Sequence, residues 1–473
     1  MNTDRRVLLA ASLGFGVVQL DVSIVNVAVK SIGTSLGGGV TGLQWVVDAY
    51  TLSFAALILT AGALGDRLGA RRMCLAGFAL FTAASAACGL APSIAALIAA
   101  RTVQGVGAAM LGACTLVLLS HAYPAPERRA RAIGLWALGA SAALAAGPLA
   151  GGLLITVAGW RAIFFVNLPL GALGLWLTGR YAAETPRATD RAPDLPGQAL
   201  AIVTVAALAA GAIEAGTLGW LSPVVLAALA LGVVAGAAFV IAERRRARPM
   251  LPPALFRRRG FTVSVAAGFA VNVAFYGLIF VVSVVLQRDQ GYSPLATGLA
   301  FVPVMAAIMA ANALAGRFRA GLAMGALLMS AGFLVMLPGE FGFLLAGLSL
   351  AGFGLGLVVP AITSAALGSV DSSRSGIAAG SLTAFRQTGS VLGVAVCGTL
   401  LASAGPAAGL ESAAGLGAAL SVLVLVLALA GRLGGLGRQE RHLGRRGYDE
   451  YHGAHNGGDG HAVGVGDAGG VQQ

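Results

Sequence analysis

The sequence predicts an all-α integral membrane protein with fourteen spanning helices. Of its 473 residues 57% are hydrophobic and only 11% charged, whereas about a quarter of the residues in a soluble domain are charged. The apolar residues fall in runs of about 20, the length that crosses a hydrocarbon core about 30 Å thick. The cations are also segregated. Of 31 lysines and arginines, 26 lie in the intervals on the N-terminal side, only Lys30, Arg161 and Arg288 lie opposite, and Arg101 and Arg386 fall inside spans. The positive-inside rule then puts both termini in the cytoplasm of a multi-pass protein of the cell membrane. One missed span would scramble every later loop, so the bias also supports the helix count.

Taken in order, Arg5 and Arg6 precede an apolar run ending near Val29, too long for a signal-peptide core and expected to be retained. The spans follow near 7–29, 44–64, 72–91, 93–118, 131–157, 160–181, 195–214, 222–243, 262–286, 295–315, 320–338, 341–366, 376–402 and 412–432. Only Ala91-Pro92-Ser93 separates the third from the fourth, and only Leu337 to Glu340 the eleventh from the twelfth. Ala63-Leu64-Gly65-Asp66-Arg67-Leu68-Gly69-Ala70 is echoed by Ala313-Leu314-Ala315-Gly316-Arg317-Phe318-Arg319-Ala320, and Gly105-Val-Gly107 by Gly354-Leu-Gly356. Two echoes at nearly one offset, in one orientation, argue for two parallel six-helix halves. The expected organisation is a six-helix bundle over 1–190, two inserted helices and a cytoplasmic linker over 191–259, a second bundle over 260–433, and a disordered Gly-rich tail over 434–473.

Several function classes are excluded. The net charge of +12 comes from short arginine clusters between apolar runs, not from one basic face, so nucleic acid is not an expected partner. The four cysteines, Cys74, Cys88, Cys114 and Cys397, lie in apolar runs without metal-ligand or paired spacing and are expected to be small core residues. The tail histidines are irregularly spaced, so no metal is expected. No HExxH, GxSxG or Walker loop occurs, so the chain is not expected to be an enzyme, to need a cofactor or to hydrolyse ATP.

Three stretches carry more than a spanning helix requires. Residues 134–152 contain Gly134, Gly139, Gly147, Pro148, Gly151 and Gly152, a composition that lets helices approach closely and bend; a plain Gly/Ala packing face is the alternative. The loop Gly62-Ala-Leu-Gly65-Asp66-Arg67-Leu-Gly69-Ala70-Arg71-Arg72 combines turn glycines with a capping carboxylate and arginines that can reach carboxylates or lipid phosphates. In Leu20-Asp21-Val22-Ser23-Ile24-Val25-Asn26, Asp21 lies eight residues from the outer end of its helix, about 12 Å deep. Arg101 lies at the same depth on the fourth helix. An acid inside a span marks an ion path or meets a partner; a permanent salt bridge pinning helices one and four is the other reading.

These stretches resemble the signatures of the major facilitator superfamily. Residues 134–152 are similar to its antiporter motif, with Ala143 where a glycine is usual, and the 62–72 loop to its motif between helices two and three, with Ala70 where a basic residue is common. The Asp21 segment resembles the first-helix motif of the fourteen-helix drug:proton antiporters, with Ser23 for threonine and Lys30 for proline. Arg101 matches the basic residue of the fourth-helix motif. The resemblance implies the major facilitator fold, two six-helix bundles plus two central helices, and a proton-coupled exporter of small amphipathic or cationic compounds. An exporter dedicated to one metabolite and an importer or uniporter are the alternatives.

On that reading the proton-handling residues are Asp21 and Arg101, with Asp48 and Glu214 as further candidates. Asp48 is close enough to the start of its helix to snorkel, and Glu214 can equally be a solvated cap. Gly62, Asp66, Arg67, Gly69 and Arg71 would form a gating latch. Asn26, Asn272, Phe275, Tyr276 and Arg386 are candidates for the substrate pocket, although aromatic side chains in apolar helices also serve as packing. The expected partners are a small-molecule substrate, protons and the lipid bilayer, and the chain is expected to be a monomer.

Overall fold

The computed structural model describes residues 3–186, 194–246, 249, 251–315, 321–370 and 375–455. The helices are α1 (Thr3–Leu36), α2 (Val40–Leu68), α3 (Ala70–Gly89), α4 (Ile94–Ala122), α5 (Pro126–Ala158), α6 (Ala162–Tyr181) and α7 (Leu195–Leu218). They continue with α8 (Pro223–Arg245), α9 (Arg259–Arg288), α10 (Pro294–Leu314), α11 (Gly321–Val335), α12 (Phe341–Gly368), α13 (Ser375–Ala404) and α14 (Pro406–His455). Among the described residues thirteen are long and apolar enough to cross a membrane. The expected eleventh span is the exception: α11 is only 15 residues long, about 22 Å at 1.5 Å per residue. Residues 316–320, where its predicted start and part of the sequence echo fall, lie outside the described residues.

Local chemistry sets the breaks. Gly37 and Gly38 take positive φ between α1 and α2. Ser93 and Ser293 accept hydrogen bonds from the amides of Ala96 and Ala296, capping α4 and α10. Asp194 caps α7 through the Gly197 amide at 2.7 Å and pairs with Arg246 at the foot of α8.

The packing repeats at an interval of eight helices. In the first half α1 packs on α5, α2 on α4, α3 on α4 and α1 on α4; in the second α9 packs on α13, α10 on α12, α11 on α12 and α9 on α12. In each half the fourth helix uses its echoed glycine pair to touch the backbones of its second and third helices, in crossed order. A Cβ on Gly105 or Gly107 would press on Tyr50 O or Phe81 N, and one on Gly354 or Gly356 on Gly325 O or Ile308 O. Two seams join the halves, α2 with α13 and α5 with α10. Inserted helix α7 packs on both α2 and α13, with α8 behind it. Thr399 donates to Ala212 O at 2.6 Å and Gln198 to Ala56 O at 2.5 Å, which ties α7 to both sides of that seam.

Residues 428–473 form a unit of their own. A structureless tail was expected from residue 434, but the helix continues through His455.

Candidate functional site

The depth match between Asp21 and Arg101 becomes a direct bond inside the first half. Arg101 is 1% exposed and Asp21 fully buried. Arg101 Nη1 donates to Asp21 Oδ2 and, at 2.7 Å, to Gln104 Oε1, while its Nε donates to Val46 O at 3.1 Å. The guanidinium carbon stands 4.2 Å from the centroid of the Tyr50 ring, a cation–π contact. Gln104 Nε2 donates to Asp21 Oδ1 at 2.8 Å and to Ser85 Oγ at 2.9 Å, and Asn167 Nδ2 donates to Asp21 Oδ1 at 3.1 Å. One carboxylate thus gathers donors from α4 and α6, with α2 and α3 supplying the surrounding shell. A proton arriving on Asp21 would cost it acceptor capacity and leave Arg101 without its counter-charge.

Gln104, Ser85 and Asn167 escaped the sequence reading. Gln104 offered a signal, standing three residues after Arg101 on the same helix face. Ser85 and Asn167 are single polar residues in apolar runs, and nothing in the sequence shows which way they face.

Asp48 corrects the expectation that it snorkels. It is fully buried, and neither carboxyl oxygen has a hydrogen-bond partner. The helix begins at Val40, a turn earlier than expected, which carries Asp48 deeper. Glu214 is half-buried near the end of α7, and its Oε1 accepts from Trp45 Nε1 at 3.4 Å, joining α7 to α2.

The glycine-rich stretch of α5 lies directly beside the charge cluster. A Cβ on Gly147 would stand 1.8 Å from Ser23 Oγ, and one on Gly151 2.8 Å from Ile24 Cγ1, so α5 meets α1 two and three residues beyond Asp21. Gly152 and Pro148 face the other half. A Cβ on Gly152 would meet Pro294 O at 2.7 Å, and Pro148 O lies 2.3 Å from where a Cβ on Gly298 would stand. Gly134 has open space around it and takes no part in this packing.

The 62–72 loop folds onto its own half. Gly69 turns at φ 100°, and a Cβ there would collide with the Glu184 carboxylate. Glu184 Oε1 accepts from the amide of Arg71 at 3.2 Å, and Arg72 Nε lies 3.5 Å from its Oε2. Thr185 Oγ1 accepts from the Ala70 amide at 2.9 Å, so the segment after α6 caps the start of α3. Arg71 Nη2 donates to Gly179 O at 2.6 Å, a carbonyl near the end of α6, not a carboxylate. Arg67 is exposed, and Gly62 and Asp66 are half-buried on α2. Glu184 was missed because only the returning chain brings it to this turn.

In the second half, Asn272 is buried and its Oδ1 accepts from Ser390 Oγ at 3.3 Å. Phe275, 2% exposed, belongs to the hydrophobic core, with Tyr276 edge-on to it at a centroid distance of 5.9 Å. Tyr276 and Arg386 are half-buried. Four hydrogen bonds cross between the halves in the part of the bundle remote from the N-terminus. Lys30 Nζ donates to Gln287 O, Ser283 Oγ to Asn26 O at 2.5 Å, and Gln44 Nε2 to Val394 O at 3.2 Å and Ala395 O at 2.8 Å. Asn26 keeps its own side chain on Val22 O at 3.0 Å. The four cysteines are buried and free, as core residues.

Comparisons with known proteins agree with this architecture. The family model described as Major Facilitator Superfamily matches residues 11–394. The chain is 41% identical over 411 residues to "Multidrug resistance protein Stp" of Mycobacterium tuberculosis, covering 85% of this chain and 76% of that one. It is 37% identical over 440 residues to the "Methylenomycin A resistance protein" of Streptomyces coelicolor, covering 91% and 90%. Among solved structures, a POT family transporter in complex with a thioalcohol-conjugated peptide superposes with a TM-score of 0.66 at 13% identity, covering 90% of this chain and 96% of that one.

Proposed function

The chain belongs to the Major Facilitator Superfamily, and from that premise we propose that it is a proton-coupled exporter of small, drug-like molecules across the cell membrane. The printed names of its relatives, a multidrug resistance protein and an antibiotic resistance protein, support export of toxic compounds. The observation that carries the coupling is the buried Asp21 carboxylate, held by Arg101, Gln104 and Asn167 inside a spanning helix. An acid placed there is costly unless it is used or paired. Asp48, buried without a partner on either oxygen, is the second carboxyl in this reading.

With both termini cytoplasmic, the four bonds between the halves hold the outer side closed. Outward opening would break them while the α5–α10 seam rocks. Protonation of Asp21 would act on that seam over a short path, because Ser23 and Ile24 press on Gly147 and Gly151, and Gly152 and Pro148 press on α10. The protein works as a monomer, converts no bond and needs no cofactor.

A second reading has its own observation. Every described donor and acceptor around Arg101 is internal to the first half, as expected of a permanent strut. Dye efflux from energised cells decides between these readings. Export that collapses with an uncoupler and stays absent in the paired variant Asp21→Asn/Arg101→Gln supports antiport; gradient-driven export that survives in the paired variant favours the strut, and gradient-dependent dye accumulation identifies an importer.

A further inference from the structure

Arg386 is the other cation inside a span, and it has no carboxylate. It stands about 16 Å along α13 from Ser375. It takes no part in the ion pairs Arg72–Glu184, Arg101–Asp21 and Arg246–Asp194. Its Nε is buried with no hydrogen-bond partner. A guanidinium so placed within a membrane faces a cavity or awaits a partner.

The surroundings are built to hold it. A Cβ on Gly268 would stand 2.9 Å from Arg386 Cγ, 3.1 Å from Ile362 Cδ1 and 3.2 Å from Leu382 Cδ1, so the missing side chain on α9 makes the slot for the arginine stem. One turn beyond Gly268, Asn272 meets Ser390, which is itself one turn beyond Arg386. The bond between Asn272 and Ser390 occupies those two side chains with each other. Arg386 remains half-buried, with its stem beside Ile362 and Leu382.

We propose that Arg386 binds the carboxylate of the exported compound, whose apolar body lies along α13 against the half-buried Phe385. This inference rests on the exporter reading and narrows its substrates from amphipathic or cationic compounds to amphipathic organic acids. The planar fork of an arginine fits a carboxylate through two parallel hydrogen bonds, which a point charge does not reproduce. A cationic substrate would meet an unpaired like charge.

The test uses inside-out membrane vesicles carrying the full chain, energised by respiration and offered two xanthene dyes of opposite charge, fluorescein and rhodamine 123. Fluorescein is expected to accumulate, and Arg386→Gln to lower the ratio of fluorescein to rhodamine 123 uptake by roughly 30-fold, the scale for truncating one partner of a buried charge pair. Arg386→Lys should lose less. Gly268→Ala, which crowds the arginine stem at Cγ, is expected to lower the same ratio by about fivefold, the low end of the overpacking scale, and gives the reading if Arg386→Gln does not reach the membrane. Uptake of rhodamine 123 alone by the wild type overturns the inference and leaves the exporter reading standing. An unchanged ratio in Arg386→Gln, including an equal fall for both dyes, also overturns it and makes Arg386 a counter-charge within the chain. If neither dye accumulates, the exporter reading falls and takes the inference with it.

Discussion

The Ser23 hydroxyl occupies the place that a side chain on Gly147 would take: a Cβ there would stand 1.8 Å from its oxygen. Helices α1 and α5 therefore touch two residues from Asp21, and α5 carries that contact on to α10. Gly147→Ala is expected to push the two helices apart at about 1–3 kcal/mol, the usual scale for overpacking. Thermal unfolding in detergent should show the loss, and dye efflux should fall further than stability alone explains. Gly134→Ala, at a position with open space, should change neither.

Separating a strut from a proton carrier at Asp21 needs two variants. Asp21→Asn alone leaves Arg101 buried without its counter-charge and is expected to cost about 3–5 kcal/mol. Adding Arg101→Gln removes the orphaned charge and should recover much of the stability. Transport should stay absent in the double variant, and recovery of gradient-driven efflux would show that the pair is only structural.

Glu184 caps α3 from outside the 62–72 loop. Glu184→Ala is expected to destabilise the protein by about 0.5–2 kcal/mol, as other lost N-caps do. Gly69→Ala should cost at least as much, because it adds strain at positive φ to a collision with the same carboxylate. Thermal unfolding midpoints of the two variants and their combination check this, and their effects should not add, since both disturb one contact.

Lys30 ties the end of α1 to the last turn of α9, where a cation also meets the negative end of the helix dipole. Lys30→Met should loosen the outer closure. A cysteine placed at Ile32, fully buried in this arrangement, is expected to react with a membrane-impermeant maleimide several-fold faster in the Lys30→Met background, on the scale of about 1 kcal/mol of lost closure. Equal labelling rates would remove Lys30 from the closure.

Much of this was legible before any coordinates. Run length and arginine asymmetry give the helices because a bilayer imposes both constraints on the chain directly. Equal depth was enough to pair Asp21 with Arg101. Depth counting failed at Asp48, since α2 starts earlier than its apolar run. It was silent on Asn167 and Ser85, whose meaning depends on which face of a helix turns inward. Glu184 was out of reach for a different reason: it works only after the chain crosses α3 to α6 and comes back. The 15-residue α11 shows the remaining limit, because hydropathy does not fix where a helix ends: the apolar run goes on to Pro338, but the helix stops at Val335.

The repeat makes the α2–α13 and α5–α10 seams equivalent, yet α7 spans only the first. Its bonds to Ala56, Trp45 and Thr399, each worth about 0.5–1.5 kcal/mol, must travel with both walls or break when those walls separate. The untethered wall has no such restraint. Motion between the halves should therefore be lopsided, with the fulcrum displaced toward the tethered flank and the wider aperture forming between α5 and α10.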